Sequence, residues 1–466
     1  MLDSIISSIS EYLYSYILII LLIAGGFYFT VRTGFVQFRL LGEQFKAVTE
    51  KPKDGKGVSS FQALMVSTAS RVGTGNIIGV STALCLGGFG SVFWMWLIAI
   101  VGGASAFAES TLAQIYKKRG DEGSFGGPAY YIEAALKSRP LALIFTVFLI
   151  LTYGFGFNML ASYNLQSTFS TYSFYNAETS PWIIGFVLAV LVGYCLFGGG
   201  TRIIKVTTFL VPVMGVIYIL VALGITVTNF ATLPAVMTRI FAEAFDVKAI
   251  FGGFGGSCVM YGIKRGLFSN EAGVGSAPNA SASAEVSHPA RQGLVQVLSV
   301  FIDTILVCTA TAFMCMCSGI EPTAELSGAP YIQAALSKAL GGFGPLFITV
   351  AMILFAFTTL LGNLYYVDKA WVYIFRKTPG KVFMRAYYVI ASLIIFVGAG
   401  LSADLLWNIA DITMGGMALI NIPVIMILSK YVFRTLKNYE QQRKAGLDPK
   451  FRAKEIELPH KVDYWQ

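Results

Sequence analysis

Two glycine-flanked tetrapeptides, Gly73-Thr74-Gly75-Asn76 and Gly273-Val274-Gly275-Ser276, lie 200 residues apart, each inside a long apolar stretch. Glycine lets a backbone leave helical geometry, and a helix broken in apolar surroundings exposes both kinds of peptide group. Beyond the first break a new half-helix begins near Asn76; its free N–H groups carry partial positive charge and suit a carboxylate. Before the break the opposite half-helix ends near Ala69 to Val72, and its unpaired carbonyls suit a cation or an ammonium. One interruption therefore offers partners to both ends of an amino acid and to a metal ion. The plainer use of such glycines is a kink for close helix packing. Their recurrence at matching places in two halves of the chain favours a substrate site.

Several polar residues interrupt the same apolar runs. Arg71 lies at the first break, where a lone charge is costly and must face a cavity or a carboxylate. It either couples to substrate or ion, or forms a structural pair with Glu271 or Asp303. Asp303, in the middle of a span, suits a proton, a cation or Arg71 itself. Glu109, near a helix end, reads as interfacial. Lys264 and Arg265 precede the polar run Ser269-Asn270-Glu271 and read as reaching water or the cytoplasmic gate rather than substrate. Thr358-Thr359 either bond back to their own helix or offer two hydroxyl oxygens to a small hard cation. Catalysis finds no foothold. The two histidines, His288 and His460, fall in a polar linker and the tail, so no Ser-His-Asp or metal-hydrolase site can be built in the core. A phosphate-binding Gly-x-x-x-x-Gly-Lys-Ser/Thr run is missing. The six cysteines lie in apolar stretches without metal spacing and read as packing residues. No enzyme activity and no organic cofactor are implied.

The elements that must hold these residues are membrane helices. The chain is 55% hydrophobic and 13% charged, against about 25% charged in soluble proteins. Eleven spans are expected, near 11–31, 59–87, 89–116, 140–170, 181–198, 203–229, 251–284, 292–317, 342–375, 383–400 and 404–433. Loops 32–58, 117–139, 199–205 and 376–385 hold six, five, two and four Lys or Arg, while 171–180 and 401–403 hold none. Residues 230–250 and 318–341 hold two and one. Basic and poor loops alternate, which places the N-terminus outside and the C-terminus in the cytoplasm of a multi-pass plasma-membrane protein. The net charge of +9 sits mainly in loops and tail and speaks for topology, not for nucleic acid. The tail after about Glu440 is polar and charged, expected on the surface or partly disordered.

The halves also match beyond the glycines. Tyr131-Ile132-Glu133-Ala134-Ala135-Leu136 returns as Tyr331-Ile332-Gln333-Ala334-Ala335-Leu336, five of six residues identical, at the same interval of 200. Residues 1–58 then form an extra first helix with a basic loop, 59–229 a first five-helix repeat, 230–250 an extracellular connection, 251–433 a second repeat and 434–466 a charged tail. Five is odd, so the second copy enters the membrane from the opposite side. Stretches from Pro128 and Pro330 read as matching short amphipathic helices at opposite surfaces. The fold class is an all-α membrane protein, with an inverted five-plus-five repeat whose first helices are broken and whose site lies at the midplane.

Arg71-Val72-Gly73-Thr74-Gly75-Asn76, Gly87-Gly88-Phe89-Gly90-Ser91-Val92-Phe93-Trp94-Met95-Trp96 and Gly266-Leu267-Phe268-Ser269-Asn270-Glu271-Ala272-Gly273-Val274-Gly275-Ser276-Ala277-Pro278 resemble the alanine-or-glycine:cation symporter family, over roughly Gly55 to Arg434. The resemblance implies sodium-driven uptake of alanine and glycine on the fold of the leucine transporter, with one additional helix in front. It implies that the amides of Thr74, Gly75 and Asn76 receive the substrate carboxylate and that Phe268 is an aromatic gate. Ser269 would lie near the amine or ion, and Val274 would line the side-chain pocket. Thr358 and Thr359 fall on the paired hydroxyls of a sodium site completed by carbonyls of Ala69, Val72 and Phe355. Arg71 and Glu271 depart from that fold's small or hydroxyl residues, so Arg71 could stand in for a second sodium ion near Asn76. Two rivals remain: a proton-coupled transporter in which Asp303 or Glu271 titrates, and a cation channel, which would need rings of polar groups around a pore.

Overall fold

The computed structural model of the protein describes residues 2–52, 57–120, 123–246, 257–458 and 461–465. The chain begins with α1 (Ile5–Arg32). Past two short helices, Val36–Arg39 and Leu41–Val48, come α2 (Ser60–Arg71) and α3 (Gly75–Gly87), the halves of the first broken segment, and then α4 (Gly90–Ile115). A small antiparallel pair, β1 (Lys118–Gly120) and β2 (Gly123–Phe125), leads to the short α5 (Pro128–Leu136). The long helices α6 (Arg139–Ser167), α7 (Ser180–Leu196) and α8 (Gly199–Thr228) and the shorter α9 (Leu233–Ala244) follow. The second break lies between α10 (Cys258–Asn270) and α11 (Pro278–Ser281). After it come α12 (Pro289–Met316), the short α13 (Ala329–Leu340), α14 (Phe343–Phe375), α15 (Lys381–Gly398) and α16 (Ala403–Ile427). Finally α17 (Ser429–Lys444) carries the chain into its tail.

Among the described residues eight helices are long and apolar enough to cross a membrane: α1, α4, α6, α8, α12, α14, α15 and α16. Each falls on an expected span, and α7 is a shorter apolar helix on another. Both glycine-marked segments are broken where expected, although residues 251–256 of the second lie outside the described residues. A capping box starts α2: Ser59 Oγ accepts from the Gln62 amide at 3.2 Å and Gln62 Oε1 from the Ser59 amide at 2.9 Å. Helix contacts are made through small residues, as membrane interiors favour. A Cβ at Gly262 of α10 would stand 2.5 Å from the Ser91 carbonyl of α4.

Glycine serves the two breaks differently. Gly273 and Gly275 have φ of +83° and +92°, a left-handed region where other residues are strained. Gly73 and Gly75 are needed for close approach. A Cβ at Gly73 would overlap the Thr359 hydroxyl, and one at Gly75 would come within 2.7 Å of the Phe268 ring. The first break is therefore pressed between α14 and α10.

One expectation fails, and another holds in one of its two forms. Glu109 is not interfacial: it is fully buried, because α5, α12 and α16 all pack on α4. The described residues of the tail lie largely on the surface, as expected, but they are docked there and not loose. The Trp465 ring nitrogen donates to the Gln114 carbonyl at 2.6 Å, and the Phe451 amide donates to Ser287 O at 3.0 Å. Lys117 Nζ sits 3.8 Å from the centre of the Tyr464 ring. Counting charges overlooked these aromatic anchors, whose burial outweighs the polar average of the segment.

Gly275→Ala should cost about 2–5 kcal/mol, combining a left-handed alanine with overpacking against Phe145, Asn421 and Pro128. Gly42→Ala, in a helix with nothing within 4 Å of the new methyl, should be neutral or stabilising by up to about 1 kcal/mol. Thermal unfolding of the two variants in detergent checks the contrast.

Candidate functional site

The last backbone bond of α2 runs from the Val72 amide to Thr68 O at 2.7 Å. The next amide, of Gly73, turns to Asn76 Oδ1 at 2.8 Å, which leaves the carbonyl of Ala69 without its helical partner. Opposite stands the threonine pair of α14. Thr358 Oγ1 bonds back to the carbonyls of Leu354 and Phe355 at 3.0 and 3.1 Å. Thr359 Oγ1 is buried, has no partner, and lies against Gly73. Both readings of the pair are therefore represented: one hydroxyl serves its own helix, and the other faces the break. Ala69, Val72 and Phe355 are all buried beside them.

Asn76 also ties the two broken segments to α12. Its Nδ2 donates to Asp303 Oδ1 at 2.7 Å and to Ser269 Oγ at 2.9 Å. Ser269 and Thr304 each donate a hydroxyl to Asp303 Oδ2 at 2.7 Å. Asp303 belongs to a π-helical stretch, Phe301–Cys308, a widening that recurs at functional sites. The result is a fully buried polar cluster around one carboxylate, its hydroxyls supplied by the second half of the chain and its amide donor by the first. The Asn76 amide is held by the Gly73 carbonyl at 3.2 Å, so the amides of Thr74 and Gly75 open the new helix. Thr74 Oγ1 accepts from Asn164 of α6 at 3.2 Å.

Phe268 covers this region. Its ring lies on Gly75, 4.5 Å from the centre of Phe157 and 4.8 Å from that of Trp407. Above it the Arg265 guanidinium stacks on Trp407 at 3.9 Å. Lys264 and Arg265 share Asp411 Oδ2, at 2.9 and 3.2 Å. A cavity of about 900 Å³ opens over them, bordered by Tyr163, Ser170, Gly328 and Ser402. Those residues adjoin the loops poor in Lys and Arg, so the pair lines an open cavity, in keeping with its reading as reaching water, at the end away from the basic loops and not at theirs. Lys264 and Arg265 precede the break in a helix that enters from that end.

At the basic end the two broken segments are joined. Val58 and Ala284 form a single, isolated parallel bridge, and the Glu285 amide donates to Val58 O at 2.9 Å. His288 nearby donates to or accepts from Asn438 at 3.1 Å, and burial holds its pKa near 3, so it stays neutral near pH 7. Beside Val58 a second cavity of about 540 Å³ is lined by Gln62, Lys205, Ser283 and Tyr365.

Arg71 pairs with neither Glu271 nor Asp303. It donates through Nη1 to Gln296 at 2.9 Å, and its Nε and Nη2 have no partner. Glu271, at φ 52°, accepts from Ser276 at 2.6 Å, and Ser70 Oγ, which donates to Asn363 Oδ1 at 2.6 Å, lies 3.4 Å from it across the two breaks. Glu109 accepts from Asn421 at 2.8 Å, and Tyr131 donates to the same Asn421. The Arg71 charge acts on Glu109, Glu271 and Asp303 through space. Val274 is fully buried at the second break. Reading the sequence missed Gln296, Asn164 and Trp407, which carry no signal until helices are paired. Asp411 did carry one, as an acidic residue deep in an apolar span.

Arg71→Ala should destabilise the protein by about 1–3 kcal/mol, because Gln296 loses its buried donor and the buried carboxylates lose a nearby positive charge. Adding Glu109→Gln should restore part of that loss. Unfolding of the single and double variants in detergent measures the coupling, and strict additivity would show that the two groups do not compensate one another.

A family model described as the sodium:alanine symporter family matches residues 1–453. The amino-acid carrier protein AlsT of Bacillus subtilis is 43% identical over 464 residues, spanning 100% of this chain and 98% of its own. A probable sodium/glutamine symporter, GlnT, of the same organism is 41% identical over 467 residues, spanning 100% of this chain and 96% of its own. Among solved structures, that of MhsT in complex with L-phenylalanine aligns with a TM-score of 0.60 at 14% identity, over 86% of this chain and 95% of its own. That is a likeness of fold.

Proposed function

The chain belongs to the sodium:alanine symporter family, and from that premise we propose that it imports alanine and glycine with sodium by alternating access. The observation that carries the reading is the Thr359 hydroxyl, buried and unpartnered against the first break. A small hard cation prefers five or six oxygens. The carbonyls of Ala69, Val72 and Phe355 with the hydroxyls of Thr358 and Thr359 supply five. Such an ion would tie the first half of the chain to the second, and so favour the arrangement that binds substrate.

The substrate carboxylate meets the amides of Thr74 and Gly75, with Asn76 holding the break in shape rather than donating its own amide. The ammonium lies toward Ser269, and Phe268 and Val274 enclose a side chain the size of a methyl group. Asp303, with the hydroxyls of Ser269 and Thr304, is the better place for a second cation or a proton, since Arg71 is turned to Gln296. Residues 59–229 and 251–433 act as the two inverted repeats, and the protein resides in the plasma membrane. The lysine- and arginine-poor end faces outside, with the N-terminus there and the C-terminus in the cytoplasm. The conformation described above is then closed inward, with Phe268 lowered beneath an outer vestibule. Inward opening requires the bridge between Val58 and Ala284 to part.

A second reading concerns the substrate. Asn158 Nδ2 and Ser162 Oγ, buried on α6 next to Phe157, have no partner, and they would suit a carboxamide side chain such as that of glutamine. Radiolabelled alanine uptake in proteoliposomes, with and without an inward sodium gradient at fixed pH, tests the main reading. Competition by unlabelled glutamine tests the second. Uptake that follows a pH gradient and ignores sodium would refute sodium coupling.

Thr359→Val keeps the volume and removes the free oxygen. It should raise the sodium concentration for half-maximal alanine binding about tenfold, the effect of one lost contact to a charged group, while leaving binding at saturating sodium nearly unchanged. Sodium titrations of alanine binding measure this. By linkage, the factor by which sodium tightens alanine binding must equal the factor by which alanine tightens sodium binding.

A further inference from the structure

We propose that the first helix, α1, is a working part of the gate over the substrate site, with Ser10 and Tyr14 positioning Lys264 and Asp411 beneath the vestibule. The proposal rests on the reading that the stack of Arg265, Trp407 and Phe268 gates that site.

Ser10 and Tyr14 are one turn apart, on the same face of a helix. They are 1% and 0% exposed, whereas Tyr12 and Tyr16 on the same helix are each 62% exposed. That inward face meets two charged residues. Lys264 Nζ donates to Ser10 Oγ at 3.2 Å, lies 2.9 Å from Asp411 Oδ2, and stands 5.0 Å from the centre of the Tyr14 ring. All three directions of its ammonium are thereby used. The Tyr14 hydroxyl donates in turn to the Asp411 carbonyl at 3.3 Å. The helix widens into a π-helical stretch at Leu13–Leu18, the turn that carries Tyr14. Glu11, beside Ser10, lines the vestibule.

The charge count shows why this anchor matters. Lys264 and Arg265 both approach one oxygen of Asp411, so the buried cluster holds two cations and one anion. The cations repel each other, and Asp411 Oδ1 with Arg265 Nε and Nη1 have no partner. The serine oxygen and tyrosine face supplied by α1 hold Lys264 to one side of Asp411, which leaves Arg265 free to lie flat on Trp407. Trp407 presses on Phe268, and Phe268 on Gly75. A helix outside the two five-helix halves thus reaches the lid through three contacts. Loosening it should let bound substrate return outward more often before the carrier turns inward.

The experiment uses full-length protein reconstituted in proteoliposomes, with Ser10→Ala, Tyr14→Phe and the double variant. Initial uptake and exchange of external labelled alanine are measured at saturating sodium and normalised to reconstituted protein. In the double variant KM for alanine should rise about three- to tenfold, as expected for two lost polar contacts. Vmax should stay within about twofold, and exchange should quicken. Asp411→Asn is the reference for the gate itself. An altered KM in Asp411→Asn with unchanged KM in the α1 variants overturns the role of α1 and leaves the gate standing. No effect of Asp411→Asn overturns the gate, and the proposal with it. A loss of reconstituted protein or thermal stability with KM unchanged shows α1 to be mere packing, and also overturns the proposal.

Discussion

The structure depends on one constraint: a peptide group inside hydrocarbon must find a partner, and a broken helix leaves several without one. Each break is held by side chains that replace backbone partners. Asn76 takes the Gly73 amide at the first, while at the second Asn270 takes the Ala272 amide and Asn421 donates to the Gly273 carbonyl. Asn76 also donates to Ser269 and Asp303, so satisfying the first break fastens the two halves together. Thr359 Oγ1 still lacks a partner at the first break, and it is the group that the proposed ion would meet.

The electrostatic layout follows from the same constraint. Arg71, Glu109, Glu271 and Asp303 are all buried near the breaks, and none forms a close ion pair there. Each is held instead through amides and hydroxyls: Gln296, Asn421, Ser276 and Asn76. Polar neutral partners let a charge change neighbours with modest rearrangement, whereas a tight buried pair would resist separation. A carrier that must alternate between two closed ends benefits from that softness. The close ion pairs near the site, of Lys264 and Arg265 with Asp411, lie at one mouth instead.

Glycine pairs at equal intervals, loop charges and span lengths are properties of the chain itself, and they made the helical membrane fold and both breaks legible. The role suggested for Phe268 came from a resemblance, whereas the threonine pair already offered two readings as residues, and the geometry divides that pair into one hydroxyl bonded to its own helix and one left free. Sequence alone could not say which, because both threonines sit in the same apolar run, and only the neighbouring helix distinguishes them.

Composition and periodicity thus determined that these segments cross a membrane and where they break, since both follow from local transfer energies and backbone freedom. Tertiary packing decided the rest. It buried Glu109 and turned Arg71 to Gln296. It also put Lys264 at the vestibule and seated Trp465 on the Gln114 carbonyl. The physical reason is that a charge or an aromatic ring in an apolar stretch fixes only that a partner must exist. Which partner it finds depends on which helices pack together.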